Sequence, residues 1–173
     1  MQSNKKLHFE GDILKLYTWE QTLTNGTKKV FEHVERRPTV SMIAIEGDYV
    51  YIIAEHRYEV DEVVDKFPAG FVDDGEEPRE AAQRELQEEM GFKAGKLTLL
   101  ERLTPRSTFD FPEYVFLAEN LIESSLPCDD GEDIIEVKKL PMKEVADMIL
   151  EESLYYSFTS FVFLKYYLQT HKF

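Results

Sequence analysis

The chain has 173 residues, enough for one substantial core and too few for two large ones. Its 43% apolar and 13% aromatic content argues against general disorder. Its formal charge of -14 disfavours a nucleic-acid duplex as partner, because phosphate backbones are bound by basic surfaces. An acidic protein can still take a phosphate ligand if a divalent cation stands between them.

The start, "MQSNKKLHFEGD", has no apolar run behind its lysines, so no signal peptide is expected. The aromatic "LYYSFTSFVFLKYYL" is short of a bilayer span and carries Lys165, so it reads as a core or interface helix. Cys128 is the only cysteine, which excludes an intramolecular disulfide and a thiolate metal cluster. No membrane partner and a cytoplasmic location are the expectations.

In chain order, Asn25-Gly26 lies between two runs rich in β-branched and aromatic residues, which predicts an antiparallel hairpin. Gly47-Asp48, between "PTVSMIAIE" and "YVYIIAEHR", predicts a second and more buried one. "YEVDEVVDKFPAG" reads as a loop. Pro78 suits a first helical turn and Gly91 the position after a helix, which predicts a helix over residues 78–90. Strands follow in "GKLTLLERL", "EYVFLAEN" and "DIIEVKKL", then helices in "PMKEVADMIL" and in the C-terminal segment. Hairpins without regular βαβ units point to an α+β fold with a mixed or antiparallel sheet flanked by helices.

The helix crowds Glu85, Glu88 and Glu89 at i, i+3 and i+4 on one face, where like charges repel by a few tenths of a kcal/mol per pair. A hard divalent cation such as Mg²⁺ reverses that sign and leaves coordination positions for substrate oxygens. Arg84, one turn from both Glu80 and Glu88, is placed to hold an acid in orientation. Ala81 reads as a small residue toward the acidic face; Leu86 and Met90 read as the docking side. A Glu-rich helix face is usually only solvated surface. Here the pattern extends from Gly70 through Glu76, Arg84, Glu85, Leu86, Glu88, Glu89 and Gly91 to Phe92. A chance match of that length is on the order of one in a million.

This stretch resembles the box of the Nudix hydrolases, G-x5-E-x7-R-E-U-x-E-E-x-G-U with U a bulky apolar residue, at every defined position from Gly70 to Phe92. The resemblance implies an α/β/α sandwich and Mg²⁺-dependent hydrolysis of a nucleoside diphosphate linked to another moiety, with Mn²⁺ as a possible substitute. It implies Glu85 and Glu89 as principal metal ligands, Glu88 as a further one, and Arg84 as the orienting residue. Glu76 would help hold the box loop or reach an outer metal shell. The implied organisation is N-terminal, dimer-forming β-strands over residues 1–37 and a Nudix domain over 38–173, with its box at 70–92.

"FPAGFVDDGEEPREAAQREL" is similar to the form seen in ADP-ribose pyrophosphatases and nucleoside-diphosphate-sugar hydrolases. That similarity matches Arg57 to a substrate-contacting arginine, the carbonyl of Ala69 to a metal ligand, and Pro105 to a proline beside the substrate. In "CDDGEDIIEV" it matches Glu132 to an acid over the metal site, with Asp130, Asp133 and Glu136 as alternatives. Glu132 and Glu88 are both candidates for the general base. Lys66 stands where that branch usually has a glutamate, and "PRSTFDFP" departs from its usual substrate loop.

Tyr17, Trp19 and Phe31 are candidates to stack on a base, from strands that the resemblance exchanges between subunits of a homodimer. The C-terminal Tyr155, Tyr156, Phe158, Phe161 and Phe163 read as core or interface residues. The expected activity is hydrolysis of ADP-ribose or a related nucleoside diphosphate sugar, a small-molecule nucleotide substrate. The alternatives are another nucleoside diphosphate derivative, such as GDP-mannose or a dinucleoside polyphosphate, and a non-catalytic nucleotide sensor. A sensor is expected to lose metal-binding acids, and every box acid is present.

Overall fold

A computed structural model describes residues 4–104, 108–128, 133–155 and 157–171. The chain begins with β1 (Lys6–Glu10), β2 (Leu14–Thr22) and β3 (Lys28–Arg36). Gly26, at φ 82°, turns β2 into β3, and Thr27 N–H donates to Asn25 Oδ1 at 3.0 Å inside that turn. The hairpin is the expected one. Strand β1, which pairs antiparallel with β2, was not foreseen, because its lysines and glutamate mask any alternation.

Next come β4 (Thr39–Glu46), β5 (Tyr49–Arg57), β6 (Glu62–Lys66), β7 (Ala69–Phe71) and α1 (Pro78–Glu89). After them run β8 (Phe92–Leu103), β9 (Phe109–Asp110), β10 (Glu113–Glu123), β11 (Ile134–Pro141), α2 (Met142–Leu150) and α3 (Phe158–Thr170). Gly47, at φ 60°, makes the second hairpin. The expected loop before the box is instead two short strands. Strand β6 pairs antiparallel with β5, Ile53 opposite Lys66, and β7 pairs with β4, Val40 opposite Gly70. Neighbouring strands recruited a stretch whose acidic residues made it read as polar loop.

The main sheet runs β11-β5-β4-β10-β8, with β6 and β7 attached to β5 and β4. Strands β4 and β10 are parallel and the other pairs antiparallel, so the sheet is mixed. Alternation along β4 and β5 builds two cores. Val40, Met42, Ala44, Tyr51 and Ile53 face α1, which contributes Ala81, Ala82, Leu86 and Met90. Ile43, Val50 and Ile52 face α2 and α3, which contribute Met142, Val145, Val162 and Phe163. Burying Leu86 alone stabilises by roughly 2–3 kcal/mol. This is the expected α+β sandwich of helix, mixed sheet and helix. A second sheet, β1-β2-β3-β9, carries the N-terminal strands. Among the described residues no helix is long and apolar enough to cross a membrane.

Candidate active site

Helix α1 starts at Pro78, whose missing N–H costs nothing there, and ends with Met90 and with Gly91 at φ 73°. Its acidic face is turned inward. Glu85 and Glu89 are buried because the segment from Lys66 to Phe71 crosses directly over them. Ala69 N–H donates to Glu89 Oε2 at 2.8 Å. A Cβ at Gly70 would overlap the Glu85 carboxylate, so only glycine lets the strand pass that closely. Ala81, one turn before Glu85, is fully buried in the sheet-facing core.

Arg84 is the hub of the box. Its Nε and Nη2 donate to the two oxygens of Glu76, each at 3.1 Å, a bidentate pair. Nη2 also donates to the Phe71 carbonyl at 2.9 Å, and Nη1 donates to Glu85 Oε1 at 2.8 Å and Glu88 Oε2 at 2.9 Å. These partners, Glu76 first, raise the guanidinium above its already high pKa, against the lowering effect of burial. The Arg84 hydrogen bond also holds the Glu76 carboxyl below the ordinary glutamate value. Glu80 is not among the partners, since its carboxylate accepts from Glu77 N–H at 3.4 Å.

A second cation lies on the other side of the acids. The Lys66 ammonium pairs with Glu55 and lies 3.4 Å from Glu89 Oε1. Burial pushes its pKa down, but the charges of Glu89 and Glu55 more than offset this and hold it above the ordinary lysine value. Arg57 extends the chain of charges, with Nη1 at 3.6 Å from Glu55 Oε1.

Among the described residues no three His, Cys, Asp or Glu side chains converge as a ready-made metal cluster. The box acids turn to Arg84 and Lys66. Their chemistry nevertheless fits a hard divalent ion. Carboxylate and carbonyl oxygens are the donors Mg²⁺ prefers, and the absence of a side chain at Gly70 makes the room in which the Glu85 carboxylate sits.

A cavity of about 480 Å³ adjoins this cluster, and Lys66, Ala69 and Gly70 form the shared wall. Arg36 and Arg57 bring further positive charge into it, although the chain as a whole is strongly acidic. The Arg36 guanidinium lies 5.1 Å from the Phe111 ring and 5.9 Å from the Phe71 ring. That of Arg57 lies 5.9 Å from the Tyr155 ring. Opposite the cations, Glu113 Oε1 accepts from Ser41 Oγ and Thr159 Oγ1, both at 3.0 Å. A larger cavity of about 1170 Å³ lies away from the box, lined by residues that include Val63, Asp65, Lys138 and Leu154.

Of the residues singled out in the sequence, Arg84, Glu85, Glu88, Glu89 and Ala69 meet at the box, and Arg57 lines the adjoining cavity. Phe31 stacks on Trp19 in the N-terminal sheet, with ring centroids 5.4 Å apart, and is not among the residues lining that cavity. Pro105, Asp130, Glu132 and Tyr156 lie outside the described residues. Asp133 accepts from the Tyr58 hydroxyl at 3.2 Å, and Glu136 is exposed on β11. Among the C-terminal aromatics, Phe163 is core and Phe158 packs against it, while Tyr155 and Phe158 also line the cavity. Arg36, Ser41, Glu113 and Thr159 were missed, because each is an ordinary polar residue until the fold brings them together.

Residues 35–159 match the NUDIX domain family. The chain is 29% identical to the ADP-ribose pyrophosphatase of Bacillus subtilis (strain 168), over 91% of this chain and 86% of that protein. It is 31% identical to the ADP compounds hydrolase NudE of Escherichia coli (strain K12), over 78% and 75% respectively. A crystal structure of an ADP compounds hydrolase shares the fold, with a TM-score of 0.81 at 24% identity, covering 97% of this chain and 93% of that one. With its box assembled around Arg84 and its family match spanning most of the sequence, the chain belongs to the NUDIX family and is a hydrolase of phosphoanhydride bonds in nucleotide-derived substrates.

Proposed function

We propose that the protein hydrolyses the diphosphate of ADP-ribose or a related nucleoside diphosphate sugar, releasing a nucleoside monophosphate and a sugar phosphate. The observation that carries this reading is the shared wall between the carboxylate box and a cavity holding Arg36, Arg57 and Lys66 beside the Glu113 carboxylate. Such a cavity suits a ligand with a charged diphosphate and hydroxyl donors, the two features of a sugar nucleotide. The activities of the relatives, on ADP-ribose and on ADP compounds, favour an ADP-linked substrate.

Glu85, Glu88, Glu89 and the Ala69 carbonyl would hold Mg²⁺, for which Mn²⁺ can stand in. When bound, the ion supplies charge neutralisation and Lewis acidity. Arg84 fixes Glu85 and Glu88 in orientation. Arg57 and Arg36 neutralise and position the diphosphate, and either Glu132 or Glu88 accepts the proton of the attacking water. With ADP-ribose the products are AMP and ribose 5-phosphate. Pro105 and the strand exchange that would bring Phe31 to a partner's site complete the proposal, with residues 1–37 forming a homodimer. The apolar surface exposed on the N-terminal sheet at Leu7, Phe9 and Val30 supports that assembly.

The test is a Mg²⁺-dependent hydrolysis screen over ADP-ribose, ADP-glucose, UDP-glucose, GDP-mannose, NADH and diadenosine polyphosphates. The expected outcome is highest kcat/KM on ADP-ribose or another ADP-sugar. Preference for GDP-mannose or a dinucleoside polyphosphate would replace this substrate class with the alternative one.

A further inference from the structure

The acids of the box are neutralised by the protein itself on two sides, and the two cations differ in kind. Arg84 is held by Glu76 and a backbone carbonyl as well as by Glu85 and Glu88, so it is fixed whatever else binds. Among the described residues Lys66 has no such second anchor. Its side chain is 11% exposed, and among the described residues its ammonium pairs with Glu55, with a side-chain exposure of 8%, and Glu89, with an exposure of 0%. Glu89 thus accepts a hydrogen bond from Ala69 N–H on Oε2 and faces the Lys66 charge, 3.4 Å away, on Oε1. A lysine is a compact point charge on a flexible stem, able to swing away where a forked guanidinium is not. The cavity wall at Lys66 gives it somewhere to go.

We propose that Lys66 is a resident monocation of the carboxylate cluster, which holds Glu89 in place before loading and competes with the divalent ion for it. The inference rests on the metal role of the box put forward above. A dication arriving at Glu89 meets the repulsion of a buried ammonium, or must displace it toward the cavity. In the cavity a diphosphate offers Lys66 a replacement partner. Binding of ion and substrate is thereby coupled, and each is weaker without the other.

The experiment measures Mn²⁺ binding without substrate, by electron paramagnetic resonance titration of wild type, Lys66→Met and the double variant Glu55→Gln/Lys66→Met. The double variant removes both members of the buried pair, so it avoids leaving the buried Glu55 with only the more distant Arg57 and keeps the test decisive if the single variant does not fold. We expect Mn²⁺ to bind about tenfold or more tightly once the ammonium is gone. Mg²⁺ should also raise Tm by more in the variant than in wild type. Equal or weaker Mn²⁺ affinity in a variant with native circular dichroism would overturn the proposal while leaving the metal role of the box intact. Failure of wild type and variants alike to bind Mn²⁺ would remove both.

Discussion

Gly70 shows how one missing side chain sets up a site. Strand β7 passes so close to α1 that a methyl group at this position would occupy the place of the Glu85 carboxylate. The obstacle is the far end of a flexible side chain, so Gly70→Ala should preserve the fold, costing less than about 2 kcal/mol, while forcing Glu85 aside. We expect a thermal melt within several degrees of wild type together with a large loss of kcat and of Mn²⁺ affinity. Unchanged kcat in a folded variant would remove Glu85 from the catalytic cluster. Gly70 and Arg84 were legible in the sequence because the box fixes both by spacing. The reason for the glycine was not, since the contact joins residues on separate elements. Lys66 was visible only as a departure from the family's pattern, and its pairing with Glu55 and Glu89 depended on the register of β6 against β5. Glu113, Ser41 and Thr159 carried no signal at all, because one oxygen of Glu113 gathers hydroxyls from two other elements.

At the scale of elements, the loop leading into α1 is tied to the helix by Glu76. Its carboxylate accepts both from Arg84 and, at 3.1 Å, from Asp73 N–H. The Arg84 bond, against some opposing burial, lowers the Glu76 pKa below the ordinary 4.5. A depressed carboxyl stabilises the fold fully above its unfolded value, and that contribution disappears as pH falls through the folded one. Wild type should therefore lose Tm on acidification below about pH 4.5. Glu76→Gln should be less stable near neutrality and show a shallower acid limb; parallel Tm profiles would show that the pair contributes nothing. The hairpins, the long helix and the later strands were readable from turn residues and periodicity. The strands β6 and β7 were not, because their pairing is imposed by β5 and β4 and leaves little trace in their own composition.

For the whole molecule, the N-terminal sheet stands out because it exposes Phe9 at 54% and Val30 at 60% of their surfaces. Sedimentation equilibrium should find a dimer, and Phe9→Ser/Val30→Ser should shift it toward monomer; a wild-type monomer at assay concentrations would end the strand-exchange proposal. The parallel pairing of β4 with β10 has a different consequence. It sets Thr39 beside Glu113, with the box and its helix contained in the intervening chain. Closing so long a loop must precede the contacts that reward it, which slows folding relative to the local hairpins. The same closure brings Ser41 to Glu113. On a ribosome the carboxylate box and the cationic side of its cavity would thus be synthesised well before β10 and α3, so Arg36, Arg57 and Lys66 would emerge before Glu113 and Thr159 exist to face the same space.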